Sequence, residues 1–283
     1  MKIITILWQG LCHLPTSWHL PIGKFFGKLL MIFAKNRRKI AQSNISLCFP
    51  DLSINDQEEL LKSNFLFLGR SIIDTGIAWF WSDAKIEELI DYEIFGLDLL
   101  SVKNSSNGNL IIFKHSQHLE LDARLLAMNA EVYGVSRSHN SLSMDKVQNK
   151  GRLSSMKDTV DKNNPRRFMK WLKDGKNVLY AIDQDYGWDH SVRLKFFNKE
   201  AATITTIKKI IEITKSNLLF INSYYHKNKI ILELEQINSL GLSDEELAQE
   251  VNNLMEEKIL LHPAEYLWAH RRFKSTLGKN FYR

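Results

Sequence analysis

A histidine and a carboxylate lie close together in the segment His115-Ser116-Gln117-His118-Leu119-Glu120. An imidazole can take a proton from a hydroxyl at neutral pH, and a carboxylate that accepts its second N–H fixes the tautomer and stabilises the imidazolium. We therefore expect His115 to be a general base and Glu120 to orient it. The spacing alone is a weak signal, because a strand-end histidine followed by a solvent-facing helix glutamate gives the same pattern.

The elements on either side of this pair predict where it lies. Residues 109–114 form an apolar run that is typical of a buried strand, and residues 119–126 have the pattern of a helix. The pair would then lie at the carboxyl end of a strand. Open α/β sheets usually bind their ligands in the crevice at that edge.

The rest of the chain alternates between predicted strands and helices. Strands are expected near residues 110–113, 132–135, 178–182, 218–224 and 229–236, and helices near residues 119–130, 165–174, 203–214 and 244–261. Ser53 and Ser243 are expected to cap helices, and Lys227-Asn228-Lys229 to turn the chain between two antiparallel strands. The prediction is an α/β fold with a mostly parallel, mixed sheet flanked by helices. The polar residues 136–164 are predicted to form a long loop.

Four further charged residues are candidates for substrate binding. Arg137 follows the predicted strand 132–135, and Arg152 lies in the predicted loop; arginine suits bidentate contacts with phosphate or carboxylate, although a solvated loop charge is the simpler interpretation. Asp183 and Asp185 follow the predicted strand 178–182 and would face the same crevice as His115. This aspartate pair could bind a metal or could position Arg137 by a salt bridge.

Composition and the first forty residues indicate an anionic partner and a membrane surface. The 283 residues carry a net charge of +6, and the two cysteines are too few for a zinc site or a disulfide framework. Nucleic-acid-binding motifs, nucleotide-binding glycine loops and a nucleophile elbow are absent from the sequence. Residues 1–40 combine apolar runs with a basic cluster at 35–39, without a cleavage site for a signal peptidase. We interpret 1–40 as a helical, membrane-associating segment and 41–283 as the catalytic domain; a core helix with a solvated end is the alternative for the former.

Six blocks in the same order resemble the bacterial lipid A biosynthesis acyltransferases, the late acyltransferases of the lysophospholipid acyltransferase superfamily. The resemblance covers nearly the whole chain, and it includes the H-x4-[DE] motif at His115 and Glu120. The blocks are Asn44-Ile-Ser-Leu-Cys-Phe-Pro50, Asp74-Thr-Gly-Ile-Ala-Trp-Phe-Trp81, His115 to Glu120, Asp183-Gln-Asp-Tyr-Gly187, Phe196-Phe197 with Ala201-Ala202-Thr203, and Tyr266-Leu-Trp-Ala-His-Arg-Arg-Phe-Lys274.

The resemblance implies an acyltransferase on the cytoplasmic face of the inner membrane. Its donor would be acyl-acyl carrier protein, and its acceptor a hydroxyl of a 3-hydroxyacyl chain on a phosphorylated, Kdo-bearing lipid A precursor. The reaction needs no cofactor and no metal, so we expect Asp183 and Asp185 to position Arg137, which would hold a phosphate or stabilise the oxyanion. No nucleic-acid partner is expected. Because the sequence contains no nucleophile elbow, we expect direct transfer to the acceptor hydroxyl.

Two alternatives remain open at this point, and the motif departs from the family in two places. The alternatives are acylation of a glycerophospholipid and a non-catalytic, lipid-binding member of the superfamily. Lys114 precedes the motif histidine, and Gln117-His118 replaces the small or apolar residues common there. His118 and Asp122 are spaced like a metal-binding pair on a helix, but we interpret them as part of a partly exposed helix face.

Overall fold

The computed structural model describes residues 2–101, 107–137 and 141–283. Met1 of the predicted membrane segment and residues 138–140 of the predicted loop lie outside these ranges. The strands found within them are β1 (Tyr92–Phe95), β2 (Asn109–Phe113), β3 (Val132–Ser136), β4 (Asp158–Asp161), β5 (Asn177–Ala181), β6 (Ser191–Phe196), β7 (Lys199–Ile204), β8 (Asn217–His226) and β9 (Lys229–Gln236).

The described helices begin with three in the N-terminal region, which are followed by the long helix α4. The bounds are α1 (Lys2–Cys12), α2 (Thr16–Phe33), α3 (Lys35–Cys48), α4 (Ile54–Phe80), α5 (Asp83–Leu89), α6 (Leu119–Asn129), α7 (Leu142–Arg152), α8 (Pro165–Lys173), α9 (Thr206–Thr214), α10 (Asp244–Leu261) and α11 (Lys274–Leu277).

A seven-stranded sheet in the order β1-β9-β8-β2-β5-β3-β4 forms the centre of the protein. Strand β2 pairs in parallel with both β5 and β8, and β3 pairs in parallel with β5 and β4. The predicted antiparallel hairpin is present, with His226 opposite Lys229 and Lys227 at φ 58° in the turn between them. The predicted α/β fold with a mostly parallel, mixed sheet is therefore confirmed.

The prediction of a long loop over residues 136–164 is wrong. This stretch contains α7 and the edge strand β4. The apolar pattern of the sequence did not indicate either element. Helix α7 exposes a polar surface, and β4, with the sequence Asp-Thr-Val-Asp, has one strongly apolar residue. The predicted helix at 203–214 begins only at Thr206, because the residues before it end β7, which pairs with β6 in a separate two-stranded sheet.

The two faces of the central sheet pack into two apolar cores, and α4 contributes to both. Alternate residues of β2 point to opposite faces, so Leu110 and Ile112 lie in one core and Ile111 in the other. In α4, Phe65 belongs to the first core and Ile77 to the second. The expected cap of α4 is present, since the side chain of Ser53 accepts a hydrogen bond from the backbone of Asp56. This long helix therefore connects both layers with the region around residues 115–120.

The N-terminal helices pack on α4 and also leave apolar side chains in solvent. Helix α2 approaches α4 so closely that a Cβ added at Gly69 would lie 2.1 Å from the carbonyl oxygen of Gly23. The exposed side chains on α1 and α2 include Ile3 (73%), Ile6 (65%) and Phe33 (76%). Among the residues that the structure describes, there is no helix whose length and hydropathy would let it span a bilayer.

Candidate active site

His115 and Asp183 meet at the carboxyl ends of two neighbouring strands. Phe113 and Ala181 end β2 and β5 and are partners in the parallel register. His115 and Asp183 each follow two residues later, so the sheet itself brings them side by side. The backbone N–H of His115 donates to Asp183 Oδ2 over 2.9 Å, and its ring Nδ1–H donates to Oδ1. The sequence contained this signal, because each residue lies two positions after the end of its strand. It could be recognised only once the pairing of the two strands was known.

The opposite ring nitrogen of His115 faces the side chain of Gln184. The amide nitrogen of Gln184 donates to His115 Nε2 over 3.1 Å, so the lone pair of the neutral ring is on Nε2. Asp183 fixes this tautomer because it accepts the proton on Nδ1. The ring therefore has the orientation that a general base needs, with Nε2 available once a substrate hydroxyl replaces Gln184.

The expected hydrogen bond between Glu120 and His115 is not the one that the structure shows. Glu120 lies in the first turn of α6, where it accepts from Trp79 Nε1 over 2.8 Å. It also forms a two-point ion pair with Arg152, whose Nε lies 3.1 Å from Oε2 and whose Nη2 donates to Oε1. The predicted contact between Glu120 and His115 was therefore wrong, because the carboxylate that accepts the Nδ1–H of His115 is that of Asp183. A catalytic role for Glu120 stays a prediction.

The pair of Glu120 and Arg152 is held in place by a close helix contact. A Cβ added at Gly151 would lie 2.4 Å from Cγ of Trp79, so α7 packs directly against this indole. Burial alone would raise the pKa of Glu120, but the charge and hydrogen bonds of Arg152 outweigh it and lower that pKa. Arg152, predicted to be a loop residue, is the last residue of α7 and has a largely buried side chain.

Asp183 is a buried anion with several stabilising neighbours. Burial would raise its pKa, yet the adjacent imidazole of His115 and the two hydrogen bonds from that residue hold the pKa well below its usual range. Arg272 contributes in the same direction, and the phenol of Tyr266 also hydrogen-bonds to Asp183. Asp183 is thus a permanent carboxylate beside the imidazole. Its expected pairing with Arg137 is replaced by this contact with His115.

Asp185 has a structural role that the sequence did not indicate. Its carboxylate accepts hydrogen bonds of 2.6 Å from both the backbone N–H and the hydroxyl of Ser275, and a third from the backbone of Gly187. Asp185 therefore fixes the C-terminal helix α11 next to the loop after β5. The prediction that it positions Arg137 or faces the crevice was wrong, because its oxygens point toward this C-terminal segment.

A cavity of about 210 Å³ opens next to His115. Arg137, Arg152 and Lys162 all line it, together with Gln184. Burial lowers the pKa of Lys162, and the nearby charge of Arg137 lowers it further. Three cationic side chains around one small cavity are suited to contact an anionic group or a carbonyl oxygen that becomes negative.

The remaining motif blocks build the frame behind this site. Asn44 donates to the carbonyl oxygens of Trp268 and His270 over 2.7 and 2.6 Å, which ties α3 to the C-terminal block. Arg272 donates to the carbonyl of Ala202 over 2.7 Å and to the hydroxyl of Thr203 over 3.0 Å. Blocks far apart in sequence thus contact one another around the loop that carries Asp183.

His118 is buried, contrary to the prediction of a partly exposed helix face. Its Nδ1 lies 2.6 Å from Asp122 and its Nε2 lies 2.8 Å from Glu265. Burial alone would lower its pKa, but the two carboxylates outweigh burial and raise the pKa to about 9. Among the described residues, no group of three or more His, Cys, Asp or Glu side chains could hold a metal ion. His118 is therefore best described as a buried cation between two anions.

This buried cation predicts a pH-dependent stability. The folded pKa of His118, about 9, lies above the ordinary 6.5, so its stabilisation is complete below pH 6.5 and is lost as the pH rises towards 9. Between pH 6.5 and 8 we expect the free energy of unfolding to fall by up to about 1.4 kcal/mol per pH unit. Above pH 8 the trend weakens, because burial lowers the pKa of Lys114 to about 8. Above that pH the folded protein has lost the Lys114 proton that the unfolded chain still binds, so this group makes the free energy of unfolding rise with pH. Denaturant unfolding of the wild type and of His118→Gln measures this slope, and an equal slope in both proteins would contradict the assignment.

The comparisons with known proteins agree with the motif blocks. Residues 2–275 match the family model described as bacterial lipid A biosynthesis acyltransferase. A lipid A biosynthesis lauroyltransferase of Escherichia coli (strain K12) is 34% identical over 278 residues, which cover 96% of this chain and 90% of that protein. A lipid A biosynthesis palmitoleoyltransferase of the same strain is 30% identical over 281 residues, covering 95% and 91%.

A solved structure with some likeness is that of a 1-acyl-sn-glycerophosphate acyltransferase from Thermotoga maritima. The TM-score is 0.40 at 16% identity, over 81% of this chain and 99% of that one. The family rests on the full-length sequence matches, which confirm the resemblance seen in the six motif blocks. The chain belongs to the bacterial lipid A biosynthesis acyltransferase family and is an acyltransferase of lipopolysaccharide biosynthesis.

Proposed function

We propose that the enzyme transfers an acyl group from acyl-acyl carrier protein to a hydroxyl on a 3-hydroxyacyl chain of a phosphorylated, Kdo-bearing lipid A precursor. The observation that carries the proposal is the geometry of His115, whose Nδ1–H is held by Asp183 while its Nε2 lies at a cavity with a cationic lining. A base beside a cationic cavity suits the attack of a hydroxyl on a thioester carbonyl next to anionic groups of a lipid.

In this mechanism His115 Nε2 takes the proton of the acceptor hydroxyl as its oxygen attacks the thioester carbonyl. The Asp183 carboxylate stabilises the imidazolium that forms. The tetrahedral intermediate then expels the carrier thiolate, which takes the proton back from His115, and the ester product remains on the lipid. All atoms of the acyl group pass directly from sulfur to oxygen, without a covalent acyl-enzyme.

Arg152 and Arg137 have separate roles in this proposal. The bonds to Glu120 use Nε–H and one N–H of Nη2, and a guanidinium has five N–H donors in all. The rest of the Arg152 guanidinium can donate to the developing oxyanion without reorganising, since Glu120 already fixes its plane. Arg137 is exposed at the edge of the same cavity, where its neighbour Lys162 adds a second charge. We propose that Arg137 and Lys162 bind a phosphate of the acceptor.

Mass spectrometry of lipid A tests the acceptor and the donor together. In cells of the source organism that lack this protein, lipid A should lose one secondary acyl chain, and the mass difference gives its length. Purified enzyme should then restore that mass when it receives acyl-acyl carrier protein and the underacylated precursor. Lipid A of unchanged mass, together with acylation of a lysophospholipid in vitro, would contradict the proposal.

The N-terminal helices supply the proposed contact with the cytoplasmic face of the inner membrane. Ile3 and Ile6 on α1 and Phe25 and Phe33 on α2 expose large apolar surfaces, and exposed lysines of α2 lie among them. An apolar face with basic residues beside it is what an interfacial helix needs on an anionic leaflet. Because α2 also packs tightly on α4, point substitutions test this contact without removing a packed helix.

We expect Ile3→Ser/Ile6→Ser to weaken binding to anionic vesicles at least tenfold. Each fully buried aliphatic side chain contributes roughly 1.5–3 kcal/mol to the transfer from water, so even partial insertion of two exceeds the factor of ten. The matched control is Ile54→Ser/Leu240→Ser, in which the replaced side chains are 77% and 87% exposed but lie outside α1 and α2. Vesicle co-sedimentation measures both proteins, and equal binding of the two double variants would refute this location of the membrane contact.

A further inference from the structure

A second, apolar cavity adjoins the candidate active site. It has a volume of about 520 Å³. Lys162, Tyr180 and Tyr186 line both this cavity and the one that contains His115. The two spaces therefore share a wall made of two tyrosines and a lysine. The rest of the lining is mostly apolar and comes from α8 and α9, with Pro165, Phe168, Met169, Ile210 and Ile213.

Helix α8 presents a basic stripe beside the mouth of this apolar cavity. Phe168 and Leu172 are buried, whereas Arg166, Lys170 and Lys173 are exposed. These three cations are spaced by four and three residues, so they lie on one face of the helix. This basic stripe lies next to the helix face that carries Pro165 and Met169, and both of those residues line the cavity.

Helix α9 adds a further cation at the mouth of the same cavity. Lys209 is exposed and lines the apolar cavity, and it lies four residues before the partly exposed Ile213. The preceding residue, Lys208, faces away towards Glu212, at 3.4 Å, and the carbonyl of Ser239. We call Arg166, Lys170, Lys173 and Lys209 the basic rim.

The character of the basic rim fits an acidic protein better than a bilayer. An interfacial helix needs exposed apolar side chains on the face that enters the lipid. In α8 the large apolar residues face the core or the cavity, and the outward stripe consists of cations. The exposed apolar side chains of α1 and α2 supply a bilayer contact elsewhere on the fold, where those helices pack on α4. A surface of opposite charge attracts an acidic partner and accelerates encounter.

We propose that the acidic acyl carrier protein docks on the basic rim and that its thioester arm reaches His115 through the apolar cavity, past Tyr180 and Tyr186. This inference rests on the proposed use of an acyl carrier protein as donor. The apolar lining would shield the acyl chain from water while the carrier is bound. A contact of this kind is small and transient, so charge should contribute mainly to the rate of encounter and to KM.

The experiment compares two donors in the full-length enzyme. Arg166→Glu/Lys170→Glu should raise KM for acyl-acyl carrier protein at least tenfold and should remove most of its dependence on salt. The kcat/KM for an acyl-N-acetylcysteamine thioester, which has no protein surface, should stay within twofold. The control Lys195→Glu/Lys227→Glu makes the same change in net charge at exposed residues that do not line either cavity. It should leave both donors unaffected.

The possible outcomes separate this inference from the proposed function. An unchanged KM for the carrier in Arg166→Glu/Lys170→Glu would overturn the docking surface while leaving the donor intact. Loss of anionic vesicle binding with an unchanged carrier KM would show that the basic rim is a membrane contact. A wild-type enzyme that uses the small thioester but not acyl-acyl carrier protein would overturn the proposed donor and the docking surface with it.

Discussion

His115→Ala is expected to lower kcat by roughly a hundred- to ten-thousand-fold, the range that positioned general-base catalysis contributes. The hydroxyl of a 3-hydroxyacyl chain is a poor nucleophile at neutral pH, so loss of the proposed base should remove most of the rate. Asp183→Asn should lose a similar factor, because an amide cannot stabilise the imidazolium and can favour the wrong tautomer. The measurement is the initial rate of purified variants with acyl-acyl carrier protein and lipid A precursor. His226→Ala, at the exposed end of β8, is the matched control and should be silent.

Double variants distinguish the partner of His115. Residues that act as one unit are not additive, so His115→Ala/Asp183→Asn should be little worse than the more severe single variant. Glu120 contacts Arg152 instead of His115, so its loss should multiply with the loss of His115. Near-normal turnover of His115→Ala would show that it is not the base. Additivity with Asp183 and non-additivity with Glu120 would restore the pairing that the sequence alone suggested.

The position of His115 at the sheet edge was predictable from sequence, whereas its contact with Asp183 was not. His115 follows an apolar strand directly, and that local pattern sufficed to place it at the sheet edge. Its partner Asp183 follows β5, which lies beside β2 in the sheet, and Asp183 comes 68 residues after His115 in the chain. The segment after β2 is held by backbone hydrogen bonds from Gln117 to Glu265 and from Leu267 to His115. These long-range bonds set the direction of the chain before α6 begins, so closeness in sequence did not give contact between His115 and Glu120.

Local signals were reliable in the helix caps and in the hairpin. The box formed by Ser243 and Glu246 is present, because it depends on residues within one turn. The buried state of His118 could not be found in this way, since one of its carboxylate partners, Glu265, lies near the C-terminus. The sequence pattern predicted five of the seven strands of the central sheet, because apolar residues dominate β2, β3, β5, β8 and β9, whereas the edge strands β1 and β4 were missed. Ion pairs between distant segments leave no such pattern.

Replacement of Arg152 should have the second large effect, because it changes both the catalytic rate and the folding stability. In the proposed mechanism Arg152→Ala removes a preorganised donor to the developing oxyanion, and the loss of one such donor lowers kcat by about a hundred- to thousandfold. It also leaves Glu120 largely buried and without its cation, which costs roughly 3–5 kcal/mol of folding stability. Both effects are expected together, so activity and the free energy of unfolding must be measured on the same preparations.

Arg152→Lys separates the two effects. Lysine keeps the positive charge beside Glu120, so most of the stability should return, but a point charge cannot make the two-point contact that fixes the guanidinium plane. We therefore expect kcat to stay at least tenfold low while the unfolding midpoint approaches that of the wild type. The matched control is Arg193→Lys, which alters an ion pair with Glu200 whose side chains are 60% and 55% exposed. Such a pair contributes little, and neither activity nor stability should change. If Arg152→Lys were fully active, the guanidinium would serve only to neutralise Glu120, and oxyanion stabilisation would have to come from another cation of the cavity.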